Sequence, residues 1–415
     1  MAIQERIRRI SFPRVDYVLL SIVAALLIIG LIMIWSITFA PNVGEGSPDP
    51  QVDFVKQAGF ALVGLVLVFV LMLVDYTVWG RLALPLMVGT VIVLILLLLM
   101  PSVSSVNGAR RWLFEGSIQP SEVAKFTVIV YMAKWLSSKG DKLRQVTYGL
   151  LPFAIFVGGI TGLIVLQPNL STAIIIALCA MAMFFIAGAD VIQYFFLLIA
   201  GGITIALVIK NTPYMFTRFM IYTQDPFASA ATGSYQVAET LIALGSGGLV
   251  GRGLGTGYAK FGYVPAPYTD SIFALLGEEL GLVGTWTVIA LFLALCYRGF
   301  RISARANSSF GQILGAGLTF WLIFQAFANI AVVTATIPFT GVPLPFISFG
   351  GSSLVAALGA VGVLLSISRA EAEPTKEANA TLDLGRRNGG PRLPSPGRHR
   401  ASMETVVRPV RPRGR

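Results

Sequence analysis

Long runs of apolar residues, separated by short polar stretches, dominate the chain. A helix of about 20 residues rises roughly 30 Å, the thickness of a bilayer's hydrocarbon core. Runs of suitable length fall near residues 17–39, 55–74, 82–100, 122–137, 147–166, 171–188, 191–209, 271–296, 313–333 and 351–367. They predict ten membrane helices, with both termini on one side. The first run has no small-residue cleavage site after a short apolar core, so it reads as a retained helix and not a signal peptide. No internal repeat is evident, which counts against transporter folds built from two similar halves.

The longest interval between runs, about 210–270, predicts a large loop between helices 7 and 8. It holds Gly233, Ser234 and the run Gly245-Ser246-Gly247-Gly248, but also a helix-like apolar stretch from Val237 to Leu244. Pro338 to Ser353 carries three prolines and three glycines, so no regular helix runs through it. Irregular backbone at a membrane surface must line protein or a water-filled cavity, because lipid cannot satisfy its amides. A rigid connector without a ligand is the other reading of this segment.

Composition narrows the class. Of 415 residues, 55% are apolar and only 12% charged, about half the charge of an ordinary globular protein, and mean hydropathy is +0.77. The fold class is an all-α polytopic membrane protein. The single histidine, His399, stands in a Pro/Arg-rich tail, which excludes histidine-based catalysis. Cys179 and Cys296 sit inside or at the end of apolar runs and form neither a CxxC metal site nor a disulfide framework. No P-loop is present, and the glycines from Gly247 to Gly257 have the wrong spacing for a dinucleotide fingerprint, so nucleotide-driven pumping is unsupported.

The net charge of +11 is topogenic and does not point to nucleic acid. With the termini cytoplasmic, 23 of the 31 lysines and arginines lie inside, the bias expected of membrane helices. The outer side keeps Lys56, Arg110, Arg111, Lys125, Lys210, Arg218, Arg252 and Lys260. The chain therefore divides into a cytoplasmic segment 1–16, a membrane domain 17–367 and a basic cytoplasmic tail 368–415. The tail's composition predicts disorder; its arginines are solvated topogenic charges or contacts to anionic lipid head groups.

Three outer constellations carry candidate chemistry. In the first, Arg110, Arg111 and Trp112 precede Gln119-Pro120-Ser121-Glu122 and Lys125. Pro120 and Glu122 suit a helix's first turn, and Glu122 and Lys125 share one helical face. The arginines read as interfacial anchors or as a phosphate site, since guanidinium matches phosphate geometry. In the second, Lys260 and Pro265-Ala266-Pro267-Tyr268-Thr269-Asp270 lie at the mouth of a helix continuing through Glu278 and Glu279. Asp270 reads as a catalytic carboxylate or a plain N-cap. The two glutamates, about 12 Å deeper, read as functional groups or as buried partners that hold the bundle. The third is Pro338 to Ser353.

The stretches GARRW, QPSE with Lys125, GSYQ, GSGGLVGRGLG, TDSIFALLGEELGLVG and PFTGVPLPFISFGGSS resemble, in order and spacing, the SEDS family of bacterial cell-wall proteins, the FtsW and RodA group. The resemblance covers roughly residues 10–370 and implies the SEDS fold of ten membrane helices. It also implies polymerisation of lipid II into peptidoglycan glycan strands on the outer face of the cytoplasmic membrane. The run GRGLGTGYAKFGYVPAP and the long basic tail look closer to the FtsW branch. Two departures stand out. Tyr268 and Ala266 replace the family's usual His and Glu before Thr-Asp, and Asn169 replaces the Asp of its Pro-Asp-Leu-Gly-Thr motif.

The implied site has Asp270 as catalytic base and Arg110, Arg111, Glu122, Lys125, Arg218, Gln236 and Lys260 as substrate-binding residues. In the implied reaction a sugar hydroxyl attacks an anomeric carbon and expels a lipid pyrophosphate. One base plus cations suffices, because pyrophosphate leaves readily once its charge is stabilised. The sequence has no dedicated metal-ligand motif, and a divalent cation, Mg2+ or Mn2+, held between carboxylate and pyrophosphate is the one cofactor compatible with this chemistry. Implied partners are a class B penicillin-binding protein with one membrane span, and other proteins of the division or elongation machinery. Two rival readings are a lipid II flippase using Glu278, Glu279 and the broken hairpin, and a non-catalytic division scaffold.

Overall fold

A computed structural model of the chain describes residues 15–38, 50–99, 119–223, 227, 235–265, 267–338 and 340–372. The described residues all belong to one compact unit that ends at Ala372. The basic tail beyond that point lies outside the described residues, as do residues 1–14 of the N-terminal segment. Among the described residues the regular structure is helical, with no strand. The helices are α1 Tyr17–Thr38, α2 Pro50–Leu73, α3 Thr77–Leu99, α4 Pro120–Ser137, α5 Leu151–Val165, α6 Leu170–Ile186, α7 Val191–Asn211, α8 Pro213–Tyr222, α9 Tyr235–Ser246, α10 Ile272–Arg305, α11 Ser309–Val333 and α12 Gly351–Ala372.

All ten predicted runs are helices. Among the described residues eight are long and apolar enough to cross a membrane, α5 being so together with the π-helical turn Val146–Leu150 that runs into it. Of the other two, α4 carries Glu122, Lys125 and Lys134 along its 18 residues, and α6 is 17 residues long. The core is centred on α12 and α11, most of whose residues are buried. At the other extreme, α7 is largely exposed along its length, with Gln193 its one buried residue.

Three expectations need correction. The interval 210–270 is not one long loop, because α8 and α9 both form within it. Pro213 at the first turn of α8 restarts a helix after α7, and the apolar stretch Val237 to Leu244 is the middle of α9. The last helix runs to Ala372, past the expected boundary at 367. The run 271–296 is part of a helix that reaches Arg305 and is interrupted at Gly281, where φ is 66° and ψ −162°.

That interruption leaves main-chain groups without helical partners, and the glycine-rich loop after α9 supplies them. The N–H groups of Arg252 and Gly253 donate to the carbonyls of Glu278 and Glu279 at 3.0 Å each, while those of Leu282 and Val283 donate to Gly248 and Leu249 at 3.0 and 3.1 Å. Four hydrogen bonds thus splice the loop into the broken helix. Side chains at the contact would prevent it: a β-carbon on Gly281 would overlap the amide of Gly251, and one on Gly247 would overlap the carbonyl of Gly277.

The two glutamates before the break fasten the rest of the loop. Glu278 accepts from the main-chain N–H groups of Tyr258 and Ala259 at 2.8 and 3.0 Å. Glu279 pairs with Lys260 at 2.9 Å, both side chains at most 2% exposed, and accepts from the Ser36 hydroxyl of α1 at 2.6 Å and the Gly255 N–H at 3.2 Å. Lys260 also donates to the Ser36 carbonyl at 3.2 Å. Of the two sequence readings for these glutamates, the structure places them as buried partners that hold the bundle.

Two stability predictions follow from this splice. Gly281→Ala forces a side chain into a left-handed conformation, costing about 1–3 kcal/mol, and overpacks the loop contact at a similar cost. Its thermal unfolding in detergent should therefore be markedly lowered, whereas Gly89→Ala, in open space on α3, should stay within about 1 kcal/mol of the parent. A Gly281→Ala protein that melts like the parent would refute the splice. Lys260→Met strands a buried carboxylate and should cost about 3–5 kcal/mol. Adding Glu279→Gln should restore at least half of that in a denaturation series; equal losses in the single and double variants would show that the pair does not carry the effect.

Candidate functional site

Asp270 stands in the run of turns that leads into α10. The N-cap of that helix is Ser271, and no side chain caps it, so the carboxylate of Asp270 is not consumed as a cap. The segment is held by its carbonyls. Those of Tyr268, Thr269 and Asp270 accept, in turn, from the Phe349 N–H at 2.8 Å, the Ser348 hydroxyl at 2.6 Å and Asn329 Nδ2 at 2.8 Å. Two donors belong to the irregular segment Pro338 to Ser353 and the third to α11. The second and third constellations of the sequence are therefore one structure.

The irregular segment is itself pinned from three sides. Asn329 Nδ2 donates to the Val342 carbonyl at 2.7 Å and Gln325 Nε2 to that of Pro343 at 3.0 Å. From α2, Gln57 donates to the Ser348 carbonyl at 3.2 Å. Gly30 of α1 lies so close that a β-carbon there would stand 2.5 Å from the Phe346 carbonyl. Phe346 is buried with a φ of 67°, a conformation that persists only where the surroundings over-determine it.

Around the carboxylate, Gly341 leaves room, since a β-carbon there would stand 2.9 Å from Asp270 Oδ2. Removal from water pushes the Asp270 carboxyl up to about 6, opposed by the Arg218 guanidinium. Arg218 comes from α8, and the hydroxyl of Tyr222 at the end of that helix donates to the Thr336 carbonyl at 2.7 Å. Tyr268 packs edge-on against Phe349 at 5.5 Å. Burial raises its phenol above the ordinary range, and the negative charge of Asp53 adds to the effect.

Beneath this layer lies the Glu122–Lys125 pair at 2.9 Å, with both side chains at most 4% exposed. Lys125 also donates to Gln325 Oε1 at 2.7 Å and stands 5.3 Å from the centre of the Trp321 ring. Gln325 Oε1 further accepts from Trp321 Nε1 at 2.9 Å. Next to the pair, Asn169 caps α6 by accepting from the Thr172 N–H at 3.3 Å, and donates to Ser121 at 3.1 Å. A carboxylate could accept the first bond but not donate the second, so the amide serves both neighbours.

The sequence-predicted residues thus occupy different places. Asp270 and Arg218 come together. Glu122 with Lys125, and Lys260 with Glu279, are buried pairs. Gln236 is half-buried on the first turn of α9, and Arg110 and Arg111 lie outside the described residues. Sequence reading missed Gln57, Asp53, Gln325 and Asn329. For the last two a signal existed, namely carboxamides four residues apart within an apolar run, a spacing that puts both on one helical face. Among the described residues no three His, Cys, Asp or Glu side chains converge as a metal site.

Comparison with known proteins agrees with this architecture. The chain is 38% identical to stage V sporulation protein E of Bacillus subtilis, over 85% of this chain and 97% of that protein. It is 37% identical to the probable peptidoglycan glycosyltransferase FtsW of Trichlorobacter lovleyi, over 85% and 93%. Its fold matches a chain of a peptidoglycan synthase complex solved to explain how polymerisation and crosslinking are coordinated, with a TM-score of 0.69, 26% identity and coverage of 87% and 99%. Residues 17–373 match the family described as cell cycle proteins, that of FtsW, RodA and SpoVE, and the chain belongs to it.

Proposed function

We propose that this chain is a peptidoglycan glycosyltransferase that polymerises lipid II on the outer face of the bacterial cytoplasmic membrane, and that it acts in cell division. The observation that carries the reading is Asp270: a carboxylate with a pKa near 6, not engaged as a cap and held by its own backbone. Such a group accepts a proton well at neutral pH. The relative named as a probable glycosyltransferase, and its FtsW name, support the activity and the division branch. Orientation rests on the charge distribution, with both termini cytoplasmic.

Asp270 takes the proton of the acceptor sugar hydroxyl as that oxygen attacks the anomeric carbon of the second lipid II, and the bond to pyrophosphate breaks. Arg218, close enough to act on Asp270 electrostatically, stabilises the departing charge together with Arg110 and Arg111, which precede α4 in sequence. Gln236 supplies a neutral hydrogen-bonding group from α9. Lys125 and Lys260 reach phosphate only by exchanging their buried carboxylate partners for it. Asp270 offers one carboxylate, so a bound Mg2+ or Mn2+ would take its remaining ligands from pyrophosphate and water.

Crosslinking needs a second protein, because the chain contains no S-x-x-K motif for an acyl-enzyme nucleophile. A class B penicillin-binding protein with one membrane span and an outer transpeptidase domain fits that requirement. The similarity to a chain from a synthase complex supports it.

Asp270→Asn should fold and insert but lose glycan synthesis by about 100-fold or more, measured as glycan ladders from fluorescent lipid II. Leaflet exchange of lipid II without ladders in the parent protein would instead favour the flippase. Because the base must be ionised and its pKa is raised, the rate should hold above pH 6 and fall as pH drops through about 6. An acid limb near 4, the ordinary carboxylate value, would contradict the enclosed carboxylate.

A further inference from the structure

Gln325 and Asn329 stand one turn apart on α11 and are 2% and 1% exposed, yet they are used differently. Gln325 engages both ends of its amide, accepting from Lys125 and Trp321 and donating to Pro343. Asn329 uses Nδ2 twice, toward the carbonyls of Asp270 at 2.8 Å and Val342 at 2.7 Å. Its Oδ1 is buried with no hydrogen-bond partner among the described residues. A buried acceptor left unpaired is a cost, so what the side chain contributes here is its two donors.

These donors close a small ring. Asn329 joins the main chain of Asp270 to that of Val342; the residue before Val342 is Gly341, and the β-carbon it lacks would stand 2.9 Å from Asp270 Oδ2. With the Asp270 carbonyl fixed, only the two side-chain torsions of Asp270 stay free, and the backbone at Gly341 bounds where its carboxylate can go. The same two bonds therefore set both the origin of the carboxylate and the wall beside it.

We propose that Asn329 is a positioning residue for the reaction: by bridging Asp270 and Val342 it holds the Asp270 carboxylate in line with the attacking hydroxyl. The inference rests on the reading of Asp270 as base. It differs from a simple staple, which would change how much protein folds but not how each folded molecule works. Misplacement of a reacting group by about 1 Å costs up to roughly 100-fold in rate, whereas lipid II itself, held by other groups, binds as before.

The test uses the full chain in detergent or vesicles with fluorescent lipid II, and rates per folded molecule. Asn329→Leu, close in size but without donors, should lower kcat by about 100-fold, leave KM within about threefold, and displace the acid limb of the pH–rate profile from its parental position. Asn329→Gln, which keeps both donors on a longer stem, should recover at least about a tenfold part of that loss. If Asn329→Leu does not fold, Asn329→Ser, with one donor, should show the same pattern at about tenfold. Parental kcat in the folded Leu or Ser variant, or an activity loss matched by folded fraction with the acid limb unmoved, overturns the proposal. Asp270→Asn is measured alongside. If it polymerises like the parent, the reading of Asp270 itself fails; if it is inactive while Asn329→Leu is not, only the role of Asn329 fails.

Discussion

A main-chain amide freed from a helix inside hydrocarbon finds no water, and each one left unpaired costs several kcal/mol. This constraint shapes both irregular segments of the protein. The interruption at Gly281 exists only because the glycine-rich loop offers two donors and two acceptors at matching positions. The segment from Pro338 to Ser353 exists only because Gln57, Gln325, Asn329 and Ser348 provide side-chain partners. Regular helices solve the problem internally, and the site is made where they fail to.

The same constraint explains the buried ion pairs. Glu279 with Lys260, and Glu122 with Lys125, are nearly inaccessible, and burying charge is seldom a net gain over apolar packing. Their value lies in what they connect. Glu279 and Lys260 join α1, the glycine-rich loop and the N-terminal part of α10, while Lys125 joins α4 to α11 through Gln325. Both pairs tie the irregular segments to helices that would otherwise slide against a featureless apolar surface.

Run length revealed most of the ten helices, because a helix needs about 20 apolar residues to cross the bilayer, and the polar breaks between runs marked the shorter α6 and the charged α4. Spacing revealed the Glu122–Lys125 pair, since partners three apart are visible in one dimension. The interruption in α10 was not legible. Leu276 to Val283 reads as ordinary helix, and its partners at Gly248, Leu249, Arg252 and Gly253 lie some 30 residues earlier in sequence. Asp270 was legible as a carboxylate at a helix mouth, whereas the three donors on its segment come from residues 329, 348 and 349. Chain separation, more than chemistry, hid them.

The splice at Gly281 also decides how the site responds to force. Tilting the N-terminal end of α10 would break four main-chain bonds at once, so the wall that carries Asp270 is stiff. Arg218, by contrast, is carried by α8, which is fastened through the Tyr222 hydroxyl and follows α7, the least enclosed of the eight long apolar helices. The carboxylate and the cation beside it are therefore mounted on different supports, one spliced into a loop by four main-chain bonds and the other joined to the Thr336 carbonyl by a side-chain hydroxyl.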